Sequence, residues 1–194
     1  MLRDAVQFLL DVLVQSFAVV LLLRFHLQWL RAPMRNPIGE FVMALTDFAV
    51  LRARRHIPSL HGLDSATLVL ALAVESIYLW ATVLVQGFPV EGFALLGVVV
   101  WALVALLKLS IYLLMGAVIM EAILSWINPH SPIAPLLATI NRPFVAPLRR
   151  HIPPLGNVDL TPFVLIIICQ LMLYLPVGYL EIFVRHMLWN GRVV

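Results

Sequence analysis

The chain has 194 residues, of which 62% are hydrophobic and only 12% are charged, with a formal net charge of +3. Soluble domains carry about a quarter charged residues, so this chain has too few charges to cover a surface that faces water. Disorder is excluded for the same reason, because disordered segments combine low hydrophobicity with high charge. The sequence therefore predicts an integral membrane protein.

Four hydrophobic segments are long enough to cross a bilayer, which takes about 20 apolar residues in a helix. We predict spans at about residues 6–30, 66–86, 102–127 and 163–184. The third span belongs to an apolar stretch from Phe93 to Ile127 that is longer than one crossing needs and too short for two. We therefore expect a tilted third span, or an interfacial or re-entrant piece over 93–107. A fifth span there is disfavoured.

Two basic loops, 31–65 and 128–162, join the spans in pairs and carry eight of the 13 basic residues. Because basic loops stay on the cytoplasmic side, we expect a multi-pass protein of the bacterial inner (plasma) membrane with both loops in the cytoplasm. Apolar residues recur in each loop at helical spacing and predict an amphipathic helix. Such a helix either lies on the anionic lipid head groups of the bilayer or packs across the ends of the bundle. The apolar positions are Ile38, Phe41, Val42, Leu45, Phe48 and Ala49 in the first loop, and Ile133, Leu136, Leu137, Ile140, Phe144 and Leu148 in the second.

An internal repeat relates the two halves of the chain. The segment Arg54–Pro58, Arg-Arg-His-Ile-Pro, recurs 95 positions later at Arg149–Pro153, and the same offset relates Asp64 to Asp159. The sequence thus predicts two repeats, 1–97 and 98–194, each made of a span, a basic loop and a second span. Since each repeat has two spans, the repeats run parallel. The predicted fold is an all-α membrane protein of about four transmembrane helices, with amphipathic cytoplasmic loop helices.

The duplicated motif Arg-Arg-x-Ile-Pro-x-x-x-x-x-Asp, together with Ser125-Trp126 and Pro143–Leu148, resembles the YggT family. The resemblance covers nearly the whole chain and is greatest to the two-repeat proteobacterial form. It implies a small membrane protein without an established reaction. Plastid and cyanobacterial relatives are linked to cytochrome b maturation and to nucleoid distribution or division, and bacterial ones to ion or osmotic homeostasis. It brings no catalytic residue and no cofactor.

Ionisable residues at membrane depth are candidates for a function. An offset of 97 pairs Asp11 with Lys108 and Arg24 with Glu121, with opposite charges at both levels. We therefore expect two ion pairs, Asp11 with Lys108 and Arg24 with Glu121, that hold the repeats together. The alternative is that each side chain snorkels to the nearest interface, and this is favoured for Arg24.

Glu75 lies nine residues inside the second span, and the offset of 95 sets it at the depth of Gln170. The two side chains either line a path for protons or cations or join helices by hydrogen bonds. Hydrogen bonding between helices is favoured, because no second carboxylate is predicted near Glu75 to complete a relay.

The repeated motif supplies the remaining candidates. Arg54, Arg55, Arg149 and Arg150 are expected to contact anionic lipid or an acidic partner. Asp64 and Asp159 are expected to cap the helices that follow them and to neutralise a neighbouring arginine.

The sequence contains no motif for a metal, a phosphate loop or a nucleophile elbow, so we expect no enzyme, no cofactor and no nucleic-acid partner. The favoured function is a scaffold or assembly factor for other membrane components. It would bind an unidentified membrane protein, with a homo-oligomer also possible. The alternative function is ion transport or osmotic and potassium homeostasis.

Overall fold

The computed structural model describes residues 1–60, 62–87, 95–152 and 159–190. Within these ranges the chain is helical and contains no β-strand. The helices are α1 (Leu2–Trp29), α2 (Pro37–Ala53), α3 (Ser65–Gln86), α4 (Leu95–Ile127), α5 (Ala134–Arg149) and α6 (Thr161–Leu188). A π-helical stretch interrupts α1 at Leu10–Gln15 and α6 at Leu173–Val177.

Four of these helices, α1, α3, α4 and α6, are long and apolar enough to span a membrane, which confirms the predicted all-α membrane fold. The third is one continuous helix of 33 residues, Leu95–Ile127. At a rise of 1.5 Å per residue it is about 50 Å long, against about 30 Å for the hydrocarbon core. From Leu95 onward there is thus no separate interfacial piece, and 93 and 94 lie outside the described residues.

The spans of the first half run antiparallel. Near the start of α1, Gln7 donates a hydrogen bond from Nε2 to Thr82 Oγ1 near the end of α3 at 3.3 Å. At the other end of these helices, Arg54 bonds to both Gln28 and Asp64. We call this end of the bundle, where α2 and α5 lie, the basic side. The opposite end is the far side.

The loop helix α2 packs through a different face from the one that the apolar periodicity predicts. Val42 is buried as predicted, but Phe41 is 58% exposed and Phe48 is 60% exposed. The buried stripe instead includes Thr46, whose hydroxyl bonds to Arg24 of α1. Because α2 has apolar residues on both sides, periodicity alone could not decide which side meets the bundle.

The loop helix α5 packs through the predicted face. Leu136, Leu137 and Ile140 are buried, and they meet Leu27 at the end of α1 and Ala117 in the middle of α4. This cluster joins the two halves of the chain near the basic side. The large apolar side chains that remain exposed lie mainly on α2 and on the outer faces of the spans.

Candidate functional site

The first arginine of each repeated motif is held by an aspartate ten residues later. Arg54 donates from Nη2 to Asp64 Oδ2 at 2.6 Å and from Nε to Oδ1 at 3.3 Å. Asp64 also accepts hydrogen bonds from the backbone N–H and the hydroxyl of Thr67, as the N-cap of α3. One carboxylate therefore closes the loop and begins the next span.

The second copy has the same arrangement with one difference. Arg149 donates from Nε to Asp159 Oδ2 at 2.8 Å, and Asp159 Oδ1 accepts from the N–H of Thr161 at 2.9 Å. The N-cap position of α6 is Leu160, so Asp159 acts from one residue before the cap. Pro153, the last residue of the repeated segment Arg149–Pro153, lies outside the described residues.

The two arginines of each motif therefore have different environments. Arg55 and Arg150 are exposed, and neither forms an ion pair within the described residues. In each motif, the first arginine fixes the turn and the second remains available to a ligand. Sequence reasoning had treated all four arginines alike.

The ion pairs shift the pKa values of both carboxyl groups. Burial alone raises the pKa of Asp64, but the hydrogen bonds and charge of Arg54 and the hydrogen bonds from Thr67 outweigh it, so the pKa lies below its ordinary value. Burial likewise raises the pKa of Asp159, and the bonds from Thr161 and Arg149 reverse this effect. Both carboxylates are charged at neutral pH.

The predicted ion pair between Arg24 and Glu121 is wrong. Arg24 is only 3% exposed, and its Nη1 donates to Thr46 Oγ1 at 2.6 Å and Asp47 Oδ1 at 2.7 Å. It does not snorkel either, because α2 brings a carboxylate to it. Arg24 is thus paired within its own half of the chain.

Glu121 also finds its partner within its own half. Its Oε2 accepts a hydrogen bond from Asn141 Nδ2 of α5 at 2.6 Å. Asn141 lies 95 positions after Thr46, and Arg142 lies 95 positions after Asp47. In both halves a charged residue of the span therefore bonds to the equivalent position of the loop helix, but the charges have opposite signs.

The predicted pair between Asp11 and Lys108 is wrong as well. Asp11 Oδ1 accepts hydrogen bonds from Tyr78 Oη and Gln7 Nε2, both at 2.8 Å. Lys108 instead forms an ion pair with Glu181 of α6 at 2.8 Å. Asp11 and Lys108 therefore each find their partners within their own half of the chain.

These polar contacts lie at different positions along their helices. Measured along α1, Arg24 is about 8 Å and Asp11 about 27 Å from the end of the helix on the basic side. Lys108 lies near the middle of α4. Glu75, about 15 Å into α3, lies near the middle of that helix.

Glu75 is 1% exposed, and its Oε2 accepts no hydrogen bond within the described part of the chain. Gln170 is exposed on the outside of α6 and does not share the environment of Glu75. One turn along α3, Tyr78 connects the helix to Asp11. Glu75 therefore lies one turn from the polar contacts of the far side. The sequence did not predict these contacts, because Tyr78 and Gln7 carry no charge and only charged residues were paired.

Among the described residues, no three His, Cys, Asp or Glu side chains form a group that could hold a metal ion. The residues that the structure does bring together are suited to charge pairing and hydrogen bonding.

Comparison with known proteins identifies the family. The model of the CCB3/YggT family matches residues 4–85 and 100–180. The chain belongs to the CCB3/YggT family. It is 33% identical to the uncharacterized protein PA0392 of Pseudomonas aeruginosa over 163 residues, which are 83% of this chain and 82% of that protein. It is 32% identical to the uncharacterized protein YggT of Escherichia coli K12 over 168 residues, 85% of each chain.

No solved structure matches the chain. The division of this YggT-family protein into two parallel repeats remains a prediction. It is supported by the equivalent contacts of Arg54 and Arg149 with their aspartates, and of Arg24 and Glu121 with their loop helices.

The exchange of charges between the halves can be tested by a swap. Arg24→Glu places two carboxylates together, and we expect it to lower the free energy of unfolding by up to about 3 kcal/mol. This is the low end of the range for buried ion pairs, because Asp47 is half exposed. Adding Asp47→Arg restores opposite charges between the span and the loop helix of the first half, and we expect it to recover at least half of the lost stability. The measurement is thermal unfolding of the purified protein in detergent.

The matched control is Arg24→Glu with Glu121→Arg, which restores opposite charges only across the two halves. We expect no recovery from it. Recovery by this variant and none by the Asp47 swap would reinstate the pairing between repeats.

The lowered pKa values of Asp64 and Asp159 give a pH dependence. A carboxyl group whose pKa is lower in the folded state stabilises the fold above its unfolded pKa of about 4, and this contribution is lost as the pH falls through the folded value. We expect the unfolding temperature to fall below about pH 4. Asp64→Asn keeps a side chain that can cap the helix but loses the charge, so we expect it to lower the free energy of unfolding at pH 7 by about 1 kcal/mol. The unfolding temperature of this variant should then fall less steeply as the pH is lowered below about 4.

The control is Glu40→Gln, which removes an exposed carboxylate near the start of α2. This variant should keep the acid decline of the unmodified protein. A decline that is just as steep in Asp64→Asn/Asp159→Asn would show that other carboxyl groups cause it.

Proposed function

We propose that this protein is a non-enzymatic membrane scaffold that holds an acidic surface of another membrane protein on its basic side. The observation that carries the proposal is the division of labour within the Arg-Arg motifs. Arg54 and Arg149 are engaged by aspartates, and Arg55 and Arg150 stand exposed beside them. Two exposed cations at equivalent positions suit the recognition of a fixed pattern of carboxylates.

The charge balance of the basic side supports this proposal. Its carboxylates are largely engaged by cations of the chain itself, since Asp47, Asp64 and Asp159 all form ion pairs. Several arginines remain exposed on the same side. They are Arg31, Arg35, Arg52, Arg55, Arg142 and Arg150. Such a field speeds the encounter with an acidic partner and makes the association sensitive to salt.

We place the protein in the bacterial inner membrane with its basic side in the cytoplasm. The proposal rests on the concentration of arginines at that end of the bundle, as the positive-inside rule requires. An acidic partner would then be a cytoplasmic loop or domain of another inner-membrane protein.

The scaffold proposal predicts a complex that depends on two arginines. In membranes dissolved with a mild detergent, we expect the tagged protein to migrate on a native gel in an assembly larger than its own oligomer. Arg55→Gln/Arg150→Gln should shift most of it to the smaller form, because the partner's carboxylates lose their counter-charges. Raised salt should have the same effect on the unmodified protein.

The matched control is Arg35→Gln/Arg52→Gln, which removes the same charge from exposed positions outside the motifs. It should keep the large assembly. The proposal fails if the unmodified protein migrates only as a single copy or a self-oligomer, or if both double variants behave alike.

Ion transport is the second candidate, and Glu75 is the observation that favours it. Glu75 is a buried carboxylate in the middle of α3, and one of its oxygens accepts no hydrogen bond from the residues that the structure describes. Such a group is costly in a bilayer and suits a proton or cation site. The contacts among Tyr78, Asp11, Gln7 and Thr82 extend from its neighbourhood to the far side.

This candidate predicts flux through purified protein in sealed liposomes. With an applied proton or potassium gradient, Glu75→Gln should abolish the flux, because the amide keeps the shape of the side chain but cannot bind a cation. Gln170→Leu, an exposed position at similar depth, should leave it unchanged. Absence of flux from folded, inserted protein would eliminate transport and leave the scaffold proposal standing.

A further inference from the structure

An apolar groove of about 550 Å³ opens between the two halves of the chain. One wall is the last part of α1 with His26 and Trp29, and the other is formed by α5 and α6 with Phe144 and Ile168. The floor is α4. Its volume lies within the range of about 300–1,000 Å³ that is common for small-ligand sites.

The length of the groove matches one leaflet of a bilayer. Its floor extends along α4 from Leu107 to Ala117. Ten residues of helix correspond to about 15 Å, which is half of the hydrocarbon core of about 30 Å. A single extended hydrocarbon chain of a lipid therefore fits the groove in length and in chemistry.

At the end of the groove on the basic side, arginines come directly after lining residues in the sequence. Leu30 and Leu148 both line it, and the next residues are Arg31 and the pair Arg149-Arg150. Arg149 is engaged by Asp159, but Arg31 and Arg150 are exposed. Trp29, 52% exposed, lies in the same region, as aromatic residues do at membrane interfaces.

We propose that this groove binds one anionic phospholipid of the leaflet on the basic side. One acyl chain lies in the groove, and the phosphate pairs with Arg31 and Arg150. The proposal does not depend on the scaffold function, because it requires no protein partner.

The head group decides the selectivity of such a site. An acyl chain gains little apolar contact by moving from the bilayer into the groove, since both environments are hydrocarbon. The pairing of an anionic head group with the two arginines supplies the preference, and a zwitterionic lipid of the same chain length has less to gain.

Native mass spectrometry of the full-length protein tests the site. The protein, purified in detergent, is titrated with phosphatidylglycerol or with phosphatidylcholine of identical acyl chains. We expect one phosphatidylglycerol to bind about tenfold more tightly than phosphatidylcholine. Arg31→Gln/Arg150→Gln should remove this preference, and the matched surface variant Arg35→Gln/Arg52→Gln should keep it.

A second pair of variants tests the groove itself. Ile168→Trp fills it from α6, whereas Ile167→Trp adds the same bulk at the neighbouring exposed position, which does not line it. The first should reduce lipid binding at least fivefold and the second should not. Ile168→Trp leaves all arginines in place, so its effect is separable from loss of the scaffold complex.

Equal binding of both lipids, or a preference that survives Arg31→Gln/Arg150→Gln, overturns the proposed head-group contact. Unchanged binding in Ile168→Trp overturns the groove as the site. Unfolding temperatures of each variant are measured beside the titrations, and if Ile168→Trp does not fold, Ser110→Phe fills the groove from α4 instead.

Discussion

A charged side chain within a bilayer needs a partner close at hand, and contacts of this kind join the helices within each half of the bundle. Arg24 of α1 finds Asp47 and Thr46 on the loop helix, and Lys108 of α4 finds Glu181 on α6. Each contact joins elements of the same half of the chain. The charges therefore join each half from within. The two halves meet through apolar packing, in the cluster of Leu27 with Ala117 and in the cluster that contains Val83 of α3 and Val98 of α4.

Much of this architecture could be predicted from the sequence, because span length and arginine placement follow from the bilayer alone. The four spans and the engagement of Asp64 and Asp159 belong to that part. The partners of Arg24 and Glu121 could not be predicted in this way. A repeat offset gives the equivalent position of a residue in the other half but not its direction around the helix axis, and the direction depends on how α2 and α5 pack. Periodicity misjudged the packing face of α2, so Asp47 was not considered as a partner.

The two halves keep a pattern of contacts rather than a pattern of charges. In one half a span arginine bonds to Thr46 and Asp47, and in the other a span glutamate bonds to Asn141 with Arg142 next to it. A polar bridge between span and loop helix is what both halves share. The sign of the charge on either side of that bridge differs between the halves, so opposite charges at equivalent repeat positions do not indicate a pair between the halves.

The ion pairs of Arg54 with Asp64 and of Arg149 with Asp159 each close a loop of the same length in the chain. Arg54 and Arg149, the residues directly before Arg55 and Arg150, lie at the ends of the loop helices, so the entropy of ordering this backbone is lost during folding and not when a ligand arrives. Arg55 and Arg150 are attached to backbone that is already in place. Whatever binds them, affinity depends on the match of charges and on the side-chain rotamers, while the backbone acts as a preorganised frame.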